Sequence, residues 1–315
     1  MGCNSVLNKL SCLPRQDRKL WQNSILWLSL GVWSLAAGCN SHLPYTASEI
    51  ASFETREFGV ELTYQTRAGR QNAFYVPPKE RPERLPERLV IMYPGIRSRA
   101  LDWLELVDHA PDPLAAFLLI DYPGRGKCEG LMRPKHLPDS SFGAIEALGI
   151  DLNVRQDQLT KHLSLLGHSF GCAAALQFAP HVDVERIVLI APFTTLHRAV
   201  YKIYGPLAWL IPDRMDNQER LRELCQRPRR PAVVIIHGSA DETVPVKMGR
   251  DLAGLFPGWI VYHEIEAGDH VGILKTSEAL IFEALFSQTS SAALPLSPVP
   301  DTASPTRLPN CETTF

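Results

Sequence analysis

The chain has 315 residues, 45% hydrophobic and 21% charged, which suits a folded domain with a deep core and excludes a disordered chain. Its 32 basic and 34 acidic residues leave a formal net charge of -2, so no overall positive field points to nucleic acid. Seven cysteines, with no C-x-x-C pair and no Cys/His zinc spacing, argue against a disulfide framework and against a bound metal.

From the N-terminus, Lys9, Arg15, Arg18 and Lys19 make a basic start, and "SILWLSLGVWSLAA", residues 24–37, is nearly all apolar. That length suits the apolar region of a signal peptide and is short for a membrane span. It ends in "LAAGC", Leu35 to Cys39, which resembles a bacterial lipobox, with Ala36 standing where a larger aliphatic is usual. The resemblance implies a signal peptide over 1–38 and a lipidated Cys39 holding the protein to a membrane of the cell envelope. An uncleaved N-terminal anchor, or a plain signal peptide, is the alternative. The opening "MGCNSV" does not complete an N-myristoylation signal, because Val6 stands where Ser or Thr is needed. Residues 39–52 read as a linker.

The body, 53–286, alternates short apolar runs with longer stretches of helical spacing. Segments around 57–64 and 71–77 read as an antiparallel hairpin at a sheet edge. The runs at 88–93, 116–121, 163–167, 186–191, 232–237 and 259–265 read as strands, most of them apolar on both faces, as in a parallel sheet covered by helices. Helical spacing falls between them, in "SFGAIEALGIDLNVRQDQLTKH" and in "GCAAALQFA". The alternation predicts an α/β fold with a doubly wound, mostly parallel sheet. Tyr201, Tyr204 and Trp209, between the strands ending at 191 and starting at 232, read as packing a helix; the alternative is a pocket for an acyl chain under a small lid. Arg227-Pro228-Arg229-Arg230 reads as a solvated loop. The Ser/Thr/Pro-rich stretch 287–315 reads as a disordered tail.

"LLGHSFGCAAA", residues 165–175, carries the chemistry. Gly167-His168-Ser169-Phe170-Gly171 fits G-x-S-x-G, a weak signal alone, but it lies between a buried run and an Ala-rich helix. Strand, sharp turn and helix are the setting of a nucleophile elbow, in which Ser169 is exposed for attack. Such a serine needs a base, later in the chain and after an acid. The acid expected is Asp241, in "HGSADETVP" just past a strand's C-terminal end; Glu242 beside it would point away. The base expected is His270, in "EAGDHVGIL", after the last strand and opening the last helix. Oxyanion donors are expected from the backbone N–H of Phe170 and, from the loop Tyr93-Pro94-Gly95-Ile96, the N–H of Ile96. Gly124-Arg125-Gly126 does not continue into a dinucleotide loop, since Glu129 occupies the third glycine position.

With these residues in place the body resembles the α/β-hydrolase superfamily, and within it the small-cap branch of serine aminopeptidase-like and Bem46-like hydrolases. "LIDYPGRGKCEG" is similar to that branch's D-Y-R-G-x-G-x-S-x-G stretch, with Pro123 for Arg and Cys128 for Ser; "IVLIAPFTTL", "IPDRMDNQERL" and "IIHGSADETVP" are similar too. The resemblance implies an α/β-hydrolase fold with a small lid. It also implies hydrolysis of a small acyl ester, thioester or amide through an acyl-enzyme, without a cofactor. An acyltransferase on the same triad, or a non-catalytic binding lipoprotein on the same frame, is the alternative.

Overall fold

The computed structural model describes residues 43–210 and 215–287. Its strands are β1 (Val60–Thr66), β2 (Gly69–Val76), β3 (Arg88–Tyr93), β4 (Ala115–Ile120), β5 (Leu163–His168), β6 (Arg186–Ile190), β7 (Ala232–Gly238) and β8 (Ile260–Ile265). They form one sheet in the order β1-β2-β4-β3-β5-β6-β7-β8. β1 and β2 are the expected antiparallel hairpin, and β2 also runs antiparallel to β4. The remaining neighbours are parallel. Chain order reverses at β3, which has β4 on one side and β5 on the other. In an open α/β sheet the crevice at the C-terminal ends of such strands is where ligands bind.

The helices are α1 (Ala47–Glu54), α2 (Leu104–Asp108), α3 (Leu137–Asp151), α4 (Gln156–Leu159), α5 (Phe170–Phe178), α6 (Leu196–Tyr204), α7 (Asn217–Cys225), α8 (Val246–Gly254), α9 (Ile273–Thr276) and α10 (Glu278–Phe286). Successive strand side chains face opposite sides, and the central strands bury both. Leu89 and Ile91 of β3 join a core with residues of α3, α5, α7 and α8, while Val90 and Met92 join a second core with residues of α1, α2 and α10. Each buried aliphatic side chain contributes about 1.5–3 kcal/mol. β1 at the edge alternates instead, with Leu62 and Tyr64 buried and Thr63 and Gln65 exposed. α5 lies flush on the sheet because Cys172, Ala173, Ala174 and Ala175 are small enough to be buried with their backbone.

Three expectations change. The stretch read as a linker, 39–52, carries structure from Leu43 onward. Thr46 and Glu49 close a reciprocal capping box that starts α1, and Phe53 is buried. The Tyr45 hydroxyl donates to Asp121 (2.6 Å) and Arg99 pairs with Glu49 (2.5 Å), so this segment is docked on the body rather than hanging from it. Of the three aromatic residues expected to pack a helix between β6 and α7, Tyr201 and Trp209 do not pack into the core. Tyr201 is 48% and Trp209 65% exposed, and Trp209 stacks on His197 instead, with ring centroids 5.3 Å apart. Their segment is an insert closed at its neck, where the Leu196 N–H donates to the Met215 carbonyl and the Asn217 N–H to the Thr194 carbonyl. The Tyr204 side chain lies outside what is described. The basic loop is not wholly solvated, since Arg227 donates to the carbonyls of Ala179 (3.1 Å) and Val182 (2.6 Å) just beyond α5. The tail beyond Ser287 and the segment before Leu43, with Cys39, lie outside the described residues.

Candidate active site

β5 delivers His168 and then Ser169 to the C-terminal edge of the sheet, next to β3. Ser169 has φ 54° and ψ -116°, a conformation that costs a residue with a side chain about 1–3 kcal/mol. Its surroundings leave the backbone little alternative. The Ser169 N–H donates to the Ile190 carbonyl at 2.8 Å. A Cβ on Gly171 would collide with the Tyr93 carbonyl oxygen, and one on Gly167 would stand 2.5 Å from the Gly171 oxygen. The two glycines therefore let β5, α5 and the loop after β3 close on one another, and the serine takes up the turn between them.

Three side chains from far apart in the sequence meet here. Ser169 Oγ lies 3.0 Å from His270 Nε2, and His270 Nδ1 lies 2.7 Å from Asp241 Oδ2. With the carboxylate accepting from Nδ1–H, Nε2 is left to accept the Ser169 hydroxyl proton. Asp241 Oδ1 accepts the N–H groups of Thr243 (2.9 Å) and Val244 (2.8 Å), which fixes the carboxylate plane. Burial opposes its ionisation, but hydrogen bonds from His237, His270 and the Val244 N–H outweigh burial and hold the carboxyl well below the usual carboxylate range. Glu242 is exposed, as expected. Asp269 is turned toward the N–H groups of Val271 and Gly272, away from the role of acid. His270 sits in the loop between β8 and α9, three residues before that helix rather than opening it.

The loop after β3 closes the other side. A Ser98 N–H to Gly95 carbonyl bond (3.0 Å) makes the turn, and the Tyr122 hydroxyl donates to the Pro94 carbonyl at 2.7 Å. Gly95 comes so near that a Cβ on it would stand 3.7 Å from the Ser169 Cβ. Among the described residues the N–H groups of Phe170 and Ile96 have no hydrogen-bond partner, so both are free to donate.

Sequence reasoning misses a surrounding set of polar groups. His168 donates Nε2–H to the His270 carbonyl at 2.7 Å. His237 donates Nε2–H to the Val244 carbonyl (2.9 Å) and lies 3.5 Å from Asp241 Oδ2. Asp121 accepts from Tyr45 and from the Ala100 N–H (2.8 Å), and its burial pushes the carboxyl up to about 6 despite those bonds. The signal that could have found them is polarity in an apolar run, since His168 and His237 each stand near the end of a buried strand where a polar side chain needs a partner.

The model of the alpha/beta hydrolase family matches residues 89–224. No curated protein sequence matches the chain. In structure the chain is similar to an alpha-beta hydrolase from Vibrio vulnificus, with a TM-score of 0.63 and 15% identity over 82% of this chain and 93% of that one. The fold is that of an α/β hydrolase. The same hydrolase frame recurs in an esterase from Pyrococcus furiosus, with a TM-score of 0.55 and 13% identity over 77% of this chain and 94% of that one. It recurs again in the esterase domain of a Rhodothermus marinus protein, with a TM-score of 0.50 and 17% identity over 72% and 96%. At these identities the likeness speaks for the hydrolase fold alone, and the family model covers residues 89–224, less than half of the chain.

Proposed function

We propose that this chain is a serine hydrolase of the small-cap branch, cleaving a small acyl ester, thioester or amide, and that Cys39 tethers it to a membrane. The observation that carries the catalytic reading is the unbroken line from Ser169 Oγ through the His270 ring to Asp241, at 3.0 and 2.7 Å, with the serine held in a strained turn. In this reading His270 takes the Ser169 proton as Oγ attacks the acyl carbonyl. Asp241 keeps the imidazole in the tautomer that can accept and stabilises its positive form. The N–H groups of Phe170 and Ile96 receive the developing oxyanion. His270 returns the proton to the leaving group, and water, deprotonated by the same imidazole, cleaves the acyl-enzyme. Esterases among the structural neighbours agree with the reaction class. A fluorophosphonate probe tests it: covalent labelling of the wild type that disappears in Ser169→Ala is expected, and an unlabelled, folded wild type sinks the reading in favour of a binding protein.

The oxyanion assignment makes its own prediction. Ile96→Pro deletes one N–H and should lower turnover about 10²–10³-fold, roughly 3–4 kcal/mol of transition-state stabilisation. A folded variant with near-normal turnover moves the donor to Arg97, since the Ser98 N–H is held by the Gly95 carbonyl. Tethering rests on the apolar segment 24–37 and the small residues before Cys39. Two or more acyl chains, at about 0.8 kcal/mol per buried methylene, hold firmly. Metabolic labelling with a fatty-acid analogue should mark the wild type and spare Cys39→Ala; equal labelling of both removes the tether.

A further inference from the structure

Building on the triad reading above, we propose that His168 is a positioning residue, a strut between the loop that carries His270 and the loop after β3, holding base and oxyanion donors in one frame. His270 belongs to neither a helix nor a strand, so its loop needs an anchor of its own. The ring cannot serve alone, because its bonds to Asp241 and Ser169 are the ones that change as protons move. The backbone of His270 is fixed from a third direction, where its carbonyl accepts the His168 Nε2–H at 2.7 Å.

On its other side the His168 ring meets the oxyanion loop, since a Cβ on Gly95 would stand 3.2 Å from His168 Nδ1. The ring itself is carried rigidly, because His168 is the last residue of β5, paired with Ile190, and only 4% exposed. The two imidazole rings lie 4.9 Å apart and tilted by 42°, so a shift of His168 reaches both the base and the Gly95–Ile96 turn. Burial, aided by the neighbouring His270, pushes the His168 imidazole down to about 4. It therefore donates through Nε2 as a neutral ring and puts no second positive charge beside the imidazolium that forms in the reaction.

The test compares His168→Leu, His168→Gln and Ser169→Ala in the full chain with p-nitrophenyl acetate, counting active sites by fluorophosphonate labelling. His168→Leu should lower kcat per labelled site about 10²-fold, the scale expected of a catalytic group misplaced by about 1 Å, with KM little changed. His168→Gln, whose amide N–H reaches toward the same carbonyl, should recover most of that kcat. Should the leucine variant not fold, His168→Asn, polar but one bond shorter, stands in for it against Gln. Full kcat per site in the leucine variant, with only fewer sites to label, overturns the proposal, as does an equal drop in Gln and Leu. An active Ser169→Ala would instead remove the triad reading, so the two failures are distinguishable.

Discussion

Ser169→Ala is expected to lower turnover of an acyl ester by roughly 10⁴–10⁶, about 5–8 kcal/mol of barrier. Alanine removes the attacking oxygen and leaves the rest of the line, the His270–Asp241 pair at 2.7 Å, in place. The variant should fold about as well as the wild type. Its backbone still takes the strained turn, and the side-chain hydrogen bond that disappears is the one to His270. Residual activity would come from the N–H groups of Phe170 and Ile96 acting on a water-borne attack. The measurement is steady-state hydrolysis by protein purified free of contaminating esterases, alongside thermal unfolding. Unchanged hydrolysis would take Ser169 out of the mechanism.

Asp241→Asn should cost roughly 10⁴ in kcat with little change in stability. The amide oxygen can keep the Thr243 and Val244 N–H groups that Oδ1 accepts now. The amide NH₂ then faces His270 Nδ1, which must accept, so the proton moves to Nε2 and the ring can no longer take one from Ser169. His237 is little disturbed, because its Nε2–H, though 3.5 Å from Oδ2, is given to the Val244 carbonyl at 2.9 Å. Asp241→Ala would also remove both turn bonds, at about 1 kcal/mol each. Comparing the kcat and the unfolding midpoint of the two variants separates tautomer control from loop support. A mild effect in Asn, with a severe one at Glu242 or Asp269, would move the acid.

Much of this fold is legible because its central strands are buried on both faces. Val90, Ile91, Leu165, Leu166, Val188 and Ile236 belong to apolar runs that only a covered parallel sheet needs. The meeting of Ser169, Asp241 and His270 is legible for a different reason: each follows a strand, in the chain order serine, carboxylate, histidine. The docking of residues 43–54 is less legible because its contacts are long-range, Tyr45 to Asp121 being 76 positions apart. Yet Thr46-Ala47-Ser48-Glu49 is a capping-box pattern that marks the start of α1. His168 and His237 escape notice because each looks, from its own position, like part of the elbow or of a strand. Their roles lie in contacts to the His270 carbonyl and to Asp241. The exposure of Tyr201 and Trp209 depends on what the rest of the fold packs against their segment, which no local pattern encodes.

The docked N-terminal segment also sets a leash. Leu43 accepts the Gly126 N–H at 2.9 Å and bridges to Arg125, on the loop that leaves β4 at the same sheet edge as Ser169. Cys39 precedes Leu43 by four residues. At about 3.3–3.6 Å per residue those four reach at most about 14 Å, and the headgroup layer of one leaflet takes about 5–8 Å of it. With Cys39 lipidated as proposed, Leu43 and the Arg125–Gly126 loop that it holds would stand within about a nanometre of the bilayer surface. A body held that way would meet any acyl ester carried in the leaflet at a surface density, and a water-soluble one at its bulk concentration.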